Sequence, residues 1–441
     1  MIDENLKDKP GKALSGTGKV RSFQRKIYLK AKQEKEFCFY VMHDKISLQH
    51  FLFEAWKRVK ANQGVPGYDK VTFLEIEEYG VESYLRELAE ELKAETYKPQ
   101  PILRVYVPKA NGKMRPLGIP TIRDRIVQMS CKMVIEPVFE ADFEDCSYGF
   151  RPKRSAKGAI TEIKSNLKRG NTNVYDADLS GFFDNIPHDK LLILLEKRIS
   201  DKRVINLIKK WLKCTVFEDN KLHKSRKGVP QGGVISPLLA NIYLNLLDKA
   251  VARKDGYFYK YGISMIRYAD DFILMGRKLP EASLEYLNKM LEKMELDVNT
   301  DKTKQIDARK ESFDFLGFTF RYDRGIYGNN GKYWNVVPSK KSELKIREKI
   351  RKVFRYCRHF SSEAITRTLN PIIRGWLNYF SIRGISYPST AKGKLHWYLD
   401  ESFYRFFQRK SQRKCKLYRR SAFAYLVSHY GLIDPARYTF V

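Results

Sequence analysis

The most informative stretch of this 441-residue sequence is Ile266–Met275, which reads IRYADDFILM. Two adjacent aspartates, Asp270 and Asp271, stand in a run that is otherwise apolar and typical of a β-strand. Burying a carboxylate is costly in free energy unless a cation or a hydrogen-bond donor compensates its charge. The stretch therefore favours a site in which the two carboxylates meet a cation, and the alternative is a β-turn whose Asp-Asp pair faces water.

A second carboxylate, Asp178, stands in YDADLSGFFDNIP, which reads as a strand that runs into a turn, with a helix after Pro187. Two strands that direct carboxylates toward one point form a site for hard divalent cations, and Mg²⁺ prefers a few carboxylates together with phosphate oxygens and water. Two such ions, about 4 Å apart, activate a 3′-hydroxyl and stabilise a leaving pyrophosphate. The two strands therefore predict a magnesium centre for phosphoryl transfer.

The composition favours a polyanion as partner. The chain carries a formal net charge of +32, and 43% of its residues are hydrophobic, enough for about two to four compact units. Such a positive field attracts nucleic acid first and anionic membrane second, but no apolar run approaches the roughly 18 residues of a membrane span. The N-terminus has no apolar signal segment, and the six cysteines form neither a CxxC pair nor a zinc pattern. These features predict a cytoplasmic protein without a membrane partner.

Local patterns predict a mixed α/β chain up to about residue 325 and basic helices after it. A hairpin is expected in residues 102–120, where two strands flank Asn111-Gly112. Residues 403–420 carry eight lysines and arginines and no acidic residue, which suits contact with phosphates and also suits a solvated basic face. Helices are predicted over 21–37, 46–61, 74–93, 121–140, 234–254, 281–295, 342–360, 362–369 and 371–381, and strands over 266–275 and 313–322.

These blocks, in their order, resemble those of the reverse transcriptases encoded by group II introns. YADDF and DADLSGFFDNI resemble the palm motifs of a reverse transcriptase, and KGVPQGGVISPLLANIYLNLLD resembles the nucleotide-pocket block between them. The resemblance covers residues 20–325, and the tail over 338–391, which contains IRGWLNYF, resembles the thumb or maturase X region. Further blocks in family order are NQGVPGYD, YVPKANGKMRPLGIPTIRDRIVQ, YGFRPKRSA, LDVNTDKTKQI and FDFLGFTF.

The resemblance implies an α/β (α+β) fold shaped like a right hand. Its palm would hold a mixed sheet with a YADD hairpin, beside fingers, a three-helix thumb and a small basic C-terminal domain. The HNH-type endonuclease of many relatives is not expected, since no Cys pair or His-rich segment follows Cys415. The implied domains are a basic N-terminal extension at 1–43, fingers at 44–160, a catalytic palm at 161–325, a thumb at 338–391 and a basic DNA-binding domain at 392–441.

The resemblance also assigns catalytic residues. It implies that Asp178 and Asp270, with Asp271 beside them, bind two Mg²⁺ ions, for which Mn²⁺ is a substitute. Gln231 in PQGG would contact the incoming deoxynucleotide, and the glycines after it allow close approach of the backbone. Phe183 stands where the family has an aromatic ring under the nucleotide sugar, a position that excludes a 2′-hydroxyl, and its alternative role is core packing.

Basic residues fall where the family contacts phosphates. Lys109 and Arg115 flank the predicted hairpin turn and would clamp the triphosphate, unless the hairpin is a solvated basic loop. Lys302 in TDKTK would position the primer end or a phosphate. The residues expected to contact template or target nucleic acid are Arg151 and Arg154 in GFRPKRSA, and Lys410, Arg413 and Lys414 in the basic C-terminal region.

The implied function is that of an RNA-directed DNA polymerase that also serves its intron as a maturase. Its partners would be group II intron RNA as template, a DNA primer or target, and dNTPs, in a bacterial cytoplasm near the nucleoid; no oligomeric state follows. One alternative is a domesticated, CRISPR-associated or defence-associated relative, and the maturase-like tail favours the intron enzyme over it. Another is an RNA-binding splicing cofactor with an inactive polymerase, which the intact aspartates and Gln231 argue against.

Overall fold

The computed structural model describes residues 15–108, 112, 114–224, 227–300, 303–324, 331–409, 417 and 421–439. The chain forms two compact units. Unit 1 consists of Met1–Arg154, Ala177–Ile273 and Pro280–Thr303, and unit 2 consists of Ser155–Asp176, Leu274–Leu279 and Lys304–Val441. Within the described ranges, no helix is both long and apolar enough to cross a membrane.

Capping side chains set where several helices begin. Thr72 forms a capping box with Glu75, and the hydroxyl of Thr121 accepts a hydrogen bond from the main-chain N–H of Asp124. The helices are α1 (Gly16–Gln33), α2 (His43–Ile46), α3 (Gln49–Ala61), α4 (Phe73–Tyr79), α5 (Val81–Lys93), α6 (Ile122–Glu140), α7 (Ala156–Lys168), α8 (Phe182–Asn185), α9 (His188–Glu196), α10 (Lys202–Leu212), α11 (Ser236–Ala252), α12 (Tyr257–Lys260), α13 (Glu281–Lys293), α14 (Lys340–Tyr356), α15 (Ser362–Phe380), α16 (Ser389–Arg409) and α17 (Ala422–Tyr430).

The core of unit 1 is built around α6, which is buried along most of its length and contacts α1 and α3. Two side chains of α1 also bond to the main chain at α6: Gln24 Nε2 donates to the carbonyl of Met133 at 2.9 Å, and Lys32 Nζ donates to that of Ala141 at 3.0 Å. The helix predicted over 121–140 is confirmed as α6, and its nearly continuous burial takes in polar residues such as Asp124, Arg125 and Gln128.

The single helix predicted over 74–93 is wrong, because the structure has two helices, α4 and α5, that meet at Gly80. Gly80 has φ +103° and ψ +106°, a left-handed backbone that interrupts the helical hydrogen bonds and that favours glycine. The apolar spacing continues on both sides of the break, so periodicity alone did not reveal it.

The strands are β1 (Ile102–Pro108), β2 (Met114–Ile119), β3 (Asn173–Asp178), β4 (Thr215–Glu218), β5 (Lys221–Lys224), β6 (Ser264–Tyr268), β7 (Asp271–Gly276), β8 (Lys304–Asp307), β9 (Phe313–Phe315), β10 (Phe318–Arg324) and β11 (Lys332–Pro338). Their sheets have the orders β2-β1-β4-β5, β6-β7-β3-β8 and β11-β10-β9. In the first sheet β1 pairs antiparallel with β2, which confirms the predicted hairpin, and parallel with β4. The fold is thus a mixed α/β fold with a mixed sheet.

The stretch predicted from its local pattern as one strand over 266–275 is instead a pair of adjacent strands, β6 and β7, joined by a turn at Ala269 and Asp270. The resemblance had implied a hairpin at YADD, and the structure has one there. A connection this short joins neighbouring strands only as a hairpin. Ala269 has φ +59°, which ends the extended backbone of β6. Asp270 therefore lies in the turn, and Asp271 is the first residue of β7. Because these aspartates are not inside a buried strand, their carboxylates do not carry the free-energy cost of complete burial that a single strand would impose.

In unit 2 the strand predicted over 313–322 is also a hairpin. Leu316 and Gly317 have φ +47° and +81° and form the turn between β9 and β10. The strand β10 continues into an antiparallel pairing with β11, in which Phe318 lies opposite Pro338 and Arg324 opposite Lys332. The FLGF motif thus provides a turn where the sequence suggested only strand packing.

Four helices of unit 2, α14, α15, α16 and α17, contribute to one apolar core. The two helices predicted over 362–369 and 371–381 are one helix, α15, with Pro371 inside it. A proline removes one main-chain hydrogen bond, but the buried stripe of Ile365, Leu369, Ile373 and Leu377 continues through it. Tertiary packing of that stripe outweighs the local loss.

Candidate active site

The three predicted catalytic aspartates all belong to unit 1. Asp178 is the last residue of β3, and Asp271 is the first residue of β7, which adjoins β3 in the sheet. The main chain of Asp178 is held by a hydrogen bond from the N–H of Asn299 to its carbonyl at 2.8 Å. Asp178 and Asp270 are half-buried and Asp271 is exposed. All three residues are therefore at least partly accessible to solvent.

The donor chemistry of these residues fits a hard divalent cation, because all three side chains offer oxygen ligands. Among the residues that the structure describes, no group of three or more His, Cys, Asp or Glu side chains is gathered closely enough to hold a metal ion. A site with fewer than three gathered protein ligands is compatible with Mg²⁺, which usually binds one or two carboxylates together with substrate phosphates. Metal binding by the three aspartates stays a prediction.

The turn that carries Asp270 is supported by a buried arginine, Arg267. Its Nε and Nη2 donate to the two carboxylate oxygens of Asp248 at 2.7 and 2.5 Å. Its Nη1 donates to the side-chain carbonyl of Asn241 at 3.0 Å and to the main-chain carbonyl of Ala269 at 2.9 Å. Its Nη2 also donates to the hydroxyl of Ser147 at 2.7 Å. The guanidinium thus has five acceptors, one of which belongs to the turn itself.

Electrostatics keep this arginine charged. Burial by itself lowers the pKa of Arg267, but the adjacent carboxylate of Asp248 raises it above the ordinary value by its charge and its hydrogen bonds. The net pKa of Arg267 is raised. A buried positive charge with full hydrogen bonding is therefore a permanent feature of the structure behind the turn.

Gln231 joins the predicted nucleotide loop to two other elements. Its side-chain carbonyl accepts a hydrogen bond from Arg115 Nε at 3.0 Å, and its amide Nε2 donates to Asp184 Oδ2 at 3.4 Å. Its main-chain carbonyl accepts from the N–H of Gly118 at 2.6 Å. The two side-chain bonds fix which end of the amide is oxygen. The structure thus brings together Arg115 and Gln231, two of the residues predicted to bind nucleotide.

The loop of residues 228–233 is attached to the segment that follows Asp178. The N–H of Val229 donates to the carbonyl of Phe183 at 2.6 Å, and that of Gly228 donates to the carbonyl of Ile186 at 2.9 Å. A Cβ on Gly228 would lie 2.7 Å from the carbonyl oxygen of Asp184, so only glycine allows this approach. The nucleotide loop and the turn after the first aspartate therefore form one structural unit.

Phe183 is largely buried, with 8% of its surface exposed, and it meets Phe182 edge to face at 5.5 Å. Packing accounts for most of its surface, while a small part faces solvent. Its predicted role as the residue that excludes a 2′-hydroxyl stays a prediction.

Arg151 and Arg154 have different surroundings. Arg151 is only 7% exposed, and its guanidinium pairs with Glu140 and donates to the carbonyls of Glu144 and Ser147. Its charge is thus taken up within the protein. Arg154 is more accessible, and it pairs with Asp145 at the surface. Of the two predicted template contacts, Arg154 is the one whose position suits contact with a phosphate.

Five of the predicted site residues lie outside the described residues: Lys109, Lys302, Lys410, Arg413 and Lys414. Sequence reasoning missed the residues that support the YADD turn. An arginine inside the apolar stretch IRYADD was the available signal, since such a charge requires an acidic partner. Asp248 could also be recognised in the sequence, because it ends the apolar run LANIYLNLLD. No local pattern, however, indicated that Asp248 is the partner of Arg267.

Two family models match the chain. A model described as reverse transcriptase (RNA-dependent DNA polymerase) matches residues 107–320, and one described as group II intron, maturase-specific domain, matches residues 344–423. The first model takes in the three aspartates, the nucleotide loop and the buried arginine. The class of the protein is therefore a reverse transcriptase, that is, an RNA-directed DNA polymerase.

Curated relatives narrow this class. Protein YkfC of Escherichia coli K12 is 37% identical over 361 residues, which is 73% of this chain and 93% of YkfC. Group II intron-encoded protein LtrA of Lactococcus lactis is 44% identical over 171 residues, which is 38% of this chain but only 28% of LtrA. The chain belongs to the family of group II intron reverse transcriptases that carry a maturase-specific domain.

A solved structure, the partial Cas6-RT-Cas1--Cas2 complex, is also similar. It is 21% identical and covers 56% of this chain and 40% of that chain, with a TM-score of 0.34. A likeness of this size supports no conclusion about the present protein.

Proposed function

We propose that the protein adds deoxynucleotides to a DNA 3′-hydroxyl on an RNA template, with a two-metal site formed by Asp178, Asp270 and Asp271. The observation that carries this proposal is the attachment of the nucleotide loop to the segment after Asp178. It puts Gln231 on the same rigid support as the first aspartate. Enzymes of this kind depend on such positioning more than on covalent chemistry.

Asp178 and Asp270 would hold the divalent ions, with Asp271 beside them. When bound, such ions favour deprotonation of the primer hydroxyl and neutralise the charge of the leaving pyrophosphate. Gln231 would contact the incoming nucleotide, and Arg115, which already fixes the Gln231 amide, would bring its guanidinium to the triphosphate. Phe183 would select against a 2′-hydroxyl by its bulk.

In this proposal the chain has the organisation of a right hand. Residues 44–160 would be the fingers, 161–325 the palm and 338–391 the thumb, with basic extensions at 1–43 and 392–441. Lys109 and Lys302 would complete the triphosphate and primer contacts. Arg154, Lys410, Arg413 and Lys414 would contact nucleic acid through phosphates.

The proposed maturase role is binding of a group II intron RNA, with assistance to its splicing and mobility. Support comes from the maturase-specific match over residues 344–423. In the described part of that range, α14 presents exposed lysines and arginines while burying Ile346 and Ile350. A basic helical surface over an apolar core suits an RNA duplex that is read by shape and backbone.

The polymerase proposal is tested by primer extension on an RNA template with Mg²⁺, using wild type, Asp270→Asn and Asp255→Asn. Asp255 is an exposed aspartate of the same unit, paired with Arg253, and it serves as the matched control. Loss of about 4 kcal/mol of transition-state stabilisation predicts a rate about a thousandfold lower for Asp270→Asn, with Asp255→Asn unchanged. Equal rates for wild type and Asp270→Asn would refute the proposed metal site.

The maturase role needs a separate readout. Wild type and Asp270→Asn should bind a group II intron RNA equally well in filter binding and should accelerate its splicing equally. The reason is that RNA binding does not use the metal site. Splicing assistance together with no extension by a folded wild type would favour the splicing cofactor instead. Extension without any preference for intron RNA would favour a domesticated or defence-associated enzyme.

A further inference from the structure

We propose that Arg267 is a positioning residue of the polymerase, which sets the place of the Asp270 carboxylate by holding the main chain immediately before it. The inference rests on the proposed function, because it takes Asp270 as a ligand of a divalent ion. It concerns residues that touch neither nucleotide nor nucleic acid in the proposed site, and it assigns them an effect on the reaction.

The first step is the contact with the turn. Arg267 Nη1 donates to the carbonyl of Ala269 at 2.9 Å, and this carbonyl belongs to the peptide bond that leads into Asp270. Ala269 has φ +59°, a left-handed conformation that is unfavourable for a residue other than glycine. A fixed donor on its carbonyl compensates this cost and restricts the orientation of the next residue.

The second step is that the donor itself is fixed. Asp248 accepts hydrogen bonds from Nε and Nη2 of Arg267. Asn241 accepts one from Nη1, and Ser147 accepts one from Nη2. Neither the arginine nor Asp248 has any exposed side-chain surface. A guanidinium with this many acceptors cannot rotate without losing several hydrogen bonds. A lysine at this position has three donors on one atom and reaches fewer of the acceptors.

A second support meets the turn from outside the hairpin. A Cβ on Gly149 would lie 2.3 Å from the main-chain nitrogen of Ala269, so the two backbones are in direct contact. The carbonyl of Gly149 accepts a hydrogen bond from Asn241 Nδ2 at 2.8 Å. Asn241 therefore bonds both to the arginine and to the backbone that touches the turn, which joins the two supports into one network.

Stability alone does not account for this arrangement. Apolar side chains of similar volume often replace a buried ion pair without loss of stability. What a buried guanidinium adds is a hydrogen-bond donor at a defined point, and here one of its bonds ends on the residue before Asp270. Groups that orient metal ligands from behind commonly change metal affinity or activity by roughly 10- to 100-fold when they are altered.

The test compares Arg267→Lys with Arg198→Lys. Arg198 is a matched control, because it is also a buried arginine of unit 1, pairs with Asp142 at 3.2 Å and donates to the carbonyl of Ala31 at 3.0 Å. Binding of Mn²⁺ to the complex of protein, RNA template and DNA primer is measured by electron paramagnetic resonance, and kcat and KM for dNTP by primer extension.

We expect Arg267→Lys to weaken Mn²⁺ binding and to lower kcat, each by roughly 10- to 100-fold, with KM for dNTP within about threefold of wild type. Arg198→Lys should leave both quantities unchanged. Wild-type Mn²⁺ affinity and kcat in a folded Arg267→Lys would overturn the inference. So would equal losses in both lysine variants, which would indicate a general effect on folding.

Two further variants separate the remaining outcomes. If thermal unfolding shows that Arg267→Lys does not fold, Asn241→Ala decides: a smaller loss of Mn²⁺ affinity and kcat supports the inference, and wild-type values contradict it. Asp270→Asn is the reference for the proposed metal site. If it binds Mn²⁺ and extends primers as wild type does, the proposed function fails, whatever the result at Arg267.

Discussion

Arg267 on β6 and Asp248 on α11 form a bidentate ion pair that is closed to solvent on both sides. The helix α11 starts just after the loop that carries Gln231, and its residues Asn241 and Asp248 both bond to the arginine. The helix α11 thus follows the nucleotide loop at its N-terminal end, and near its C-terminal end it contacts the arginine that holds the YADD turn. We infer that the two halves of the proposed site are held in register by this helix.

Breaking the pair should be costly for the fold. Asp248→Asn keeps the volume of the side chain but leaves the Arg267 charge without a counter-ion, and removal of one partner of a buried pair costs about 3–5 kcal/mol. We expect the free energy of unfolding in urea to fall by that amount.

The control for this prediction is Asp255→Asn, which breaks an exposed pair with Arg253 and should leave the urea midpoint unchanged, because water screens such pairs. If Asp248→Asn unfolds at the same urea concentration as wild type, the pair contributes nothing to stability. The network around the turn would then be less rigid than its hydrogen bonds indicate.

The hydrogen bonds of Gln231 lead to a prediction about substrate affinity. Gln231→Ala removes the amide that joins Arg115 to Asp184 and should raise KM for dNTP by about tenfold, equivalent to about 1.4 kcal/mol of binding. Asp184→Ala removes the acceptor of Nε2 and should raise KM by about threefold. Steady-state primer extension with varied dNTP measures both.

Gln49→Ala is the matched control, because Gln49 is an exposed glutamine of the same unit that donates to the carbonyl of Glu82. It should leave KM unchanged. An unchanged KM in Gln231→Ala as well would exclude Gln231 from nucleotide binding, and an increase in Asp184→Ala that exceeds the one in Gln231→Ala would assign Asp184 a contact of its own.

A glycine of the same loop gives a conformational test. Gly232 has φ +110°, and a Cβ there would lie 2.3 Å from the carbonyl oxygen of Gly118. Gly232→Ala therefore meets both an unfavourable backbone and a main-chain clash, and we expect it to lower the free energy of unfolding by about 2–3 kcal/mol. Because the loop must shift, KM for dNTP should rise too.

Gly262→Ala is the control that measures only the free-energy cost of a left-handed backbone, since Gly262 has φ +63° but open space around it. It should cost about 1 kcal/mol and leave KM for dNTP unchanged. A Gly232→Ala variant that behaves like Gly262→Ala in both assays would show that the loop yields to the methyl group without moving Gln231.

The elements that the sequence predicted correctly are those whose signals are local. The hairpin over 102–120 follows from alternation around Asn111-Gly112, and the helix predicted over 46–61 follows from an apolar stripe that α3 buries. The errors arose where one residue changes the backbone. Gly80 splits a helix, and Ala269, which has a side chain and no turn signature, turns a strand into a hairpin.

The support of the site could not be predicted because it is not local. Ser147 comes from one segment and Asn241 and Asp248 from another, the helix α11, and the three residues meet at Arg267. An arginine in an apolar stretch indicates that a partner exists, but the sequence does not say which of the 51 acidic residues it is. The nucleotide loop differs, because its motif resembles a known block and its residues lie close together in the chain.

A buried lysine of unit 2 provides the last prediction. Lys164 on α7 is 3% exposed, and its Nζ donates to the carbonyls of Gly384 and Ile385 at 3.2 and 2.7 Å and to the hydroxyl of Tyr387 at 3.2 Å. The segment that it binds connects α15 to α16. Lys164→Met keeps the aliphatic stem but leaves these acceptors without a donor, which costs about 1–3 kcal/mol.

We expect hydrogen exchange in residues 381–388 to become faster by about tenfold to hundredfold in Lys164→Met, because the lost free energy appears as easier local opening. Lys168→Met, which alters an exposed lysine on the same helix, should leave exchange there unchanged. The measurement is mass spectrometry of peptic fragments after timed exchange. If the segment exchanges at the same rate in both variants, the three hydrogen bonds of Lys164 do not limit its opening.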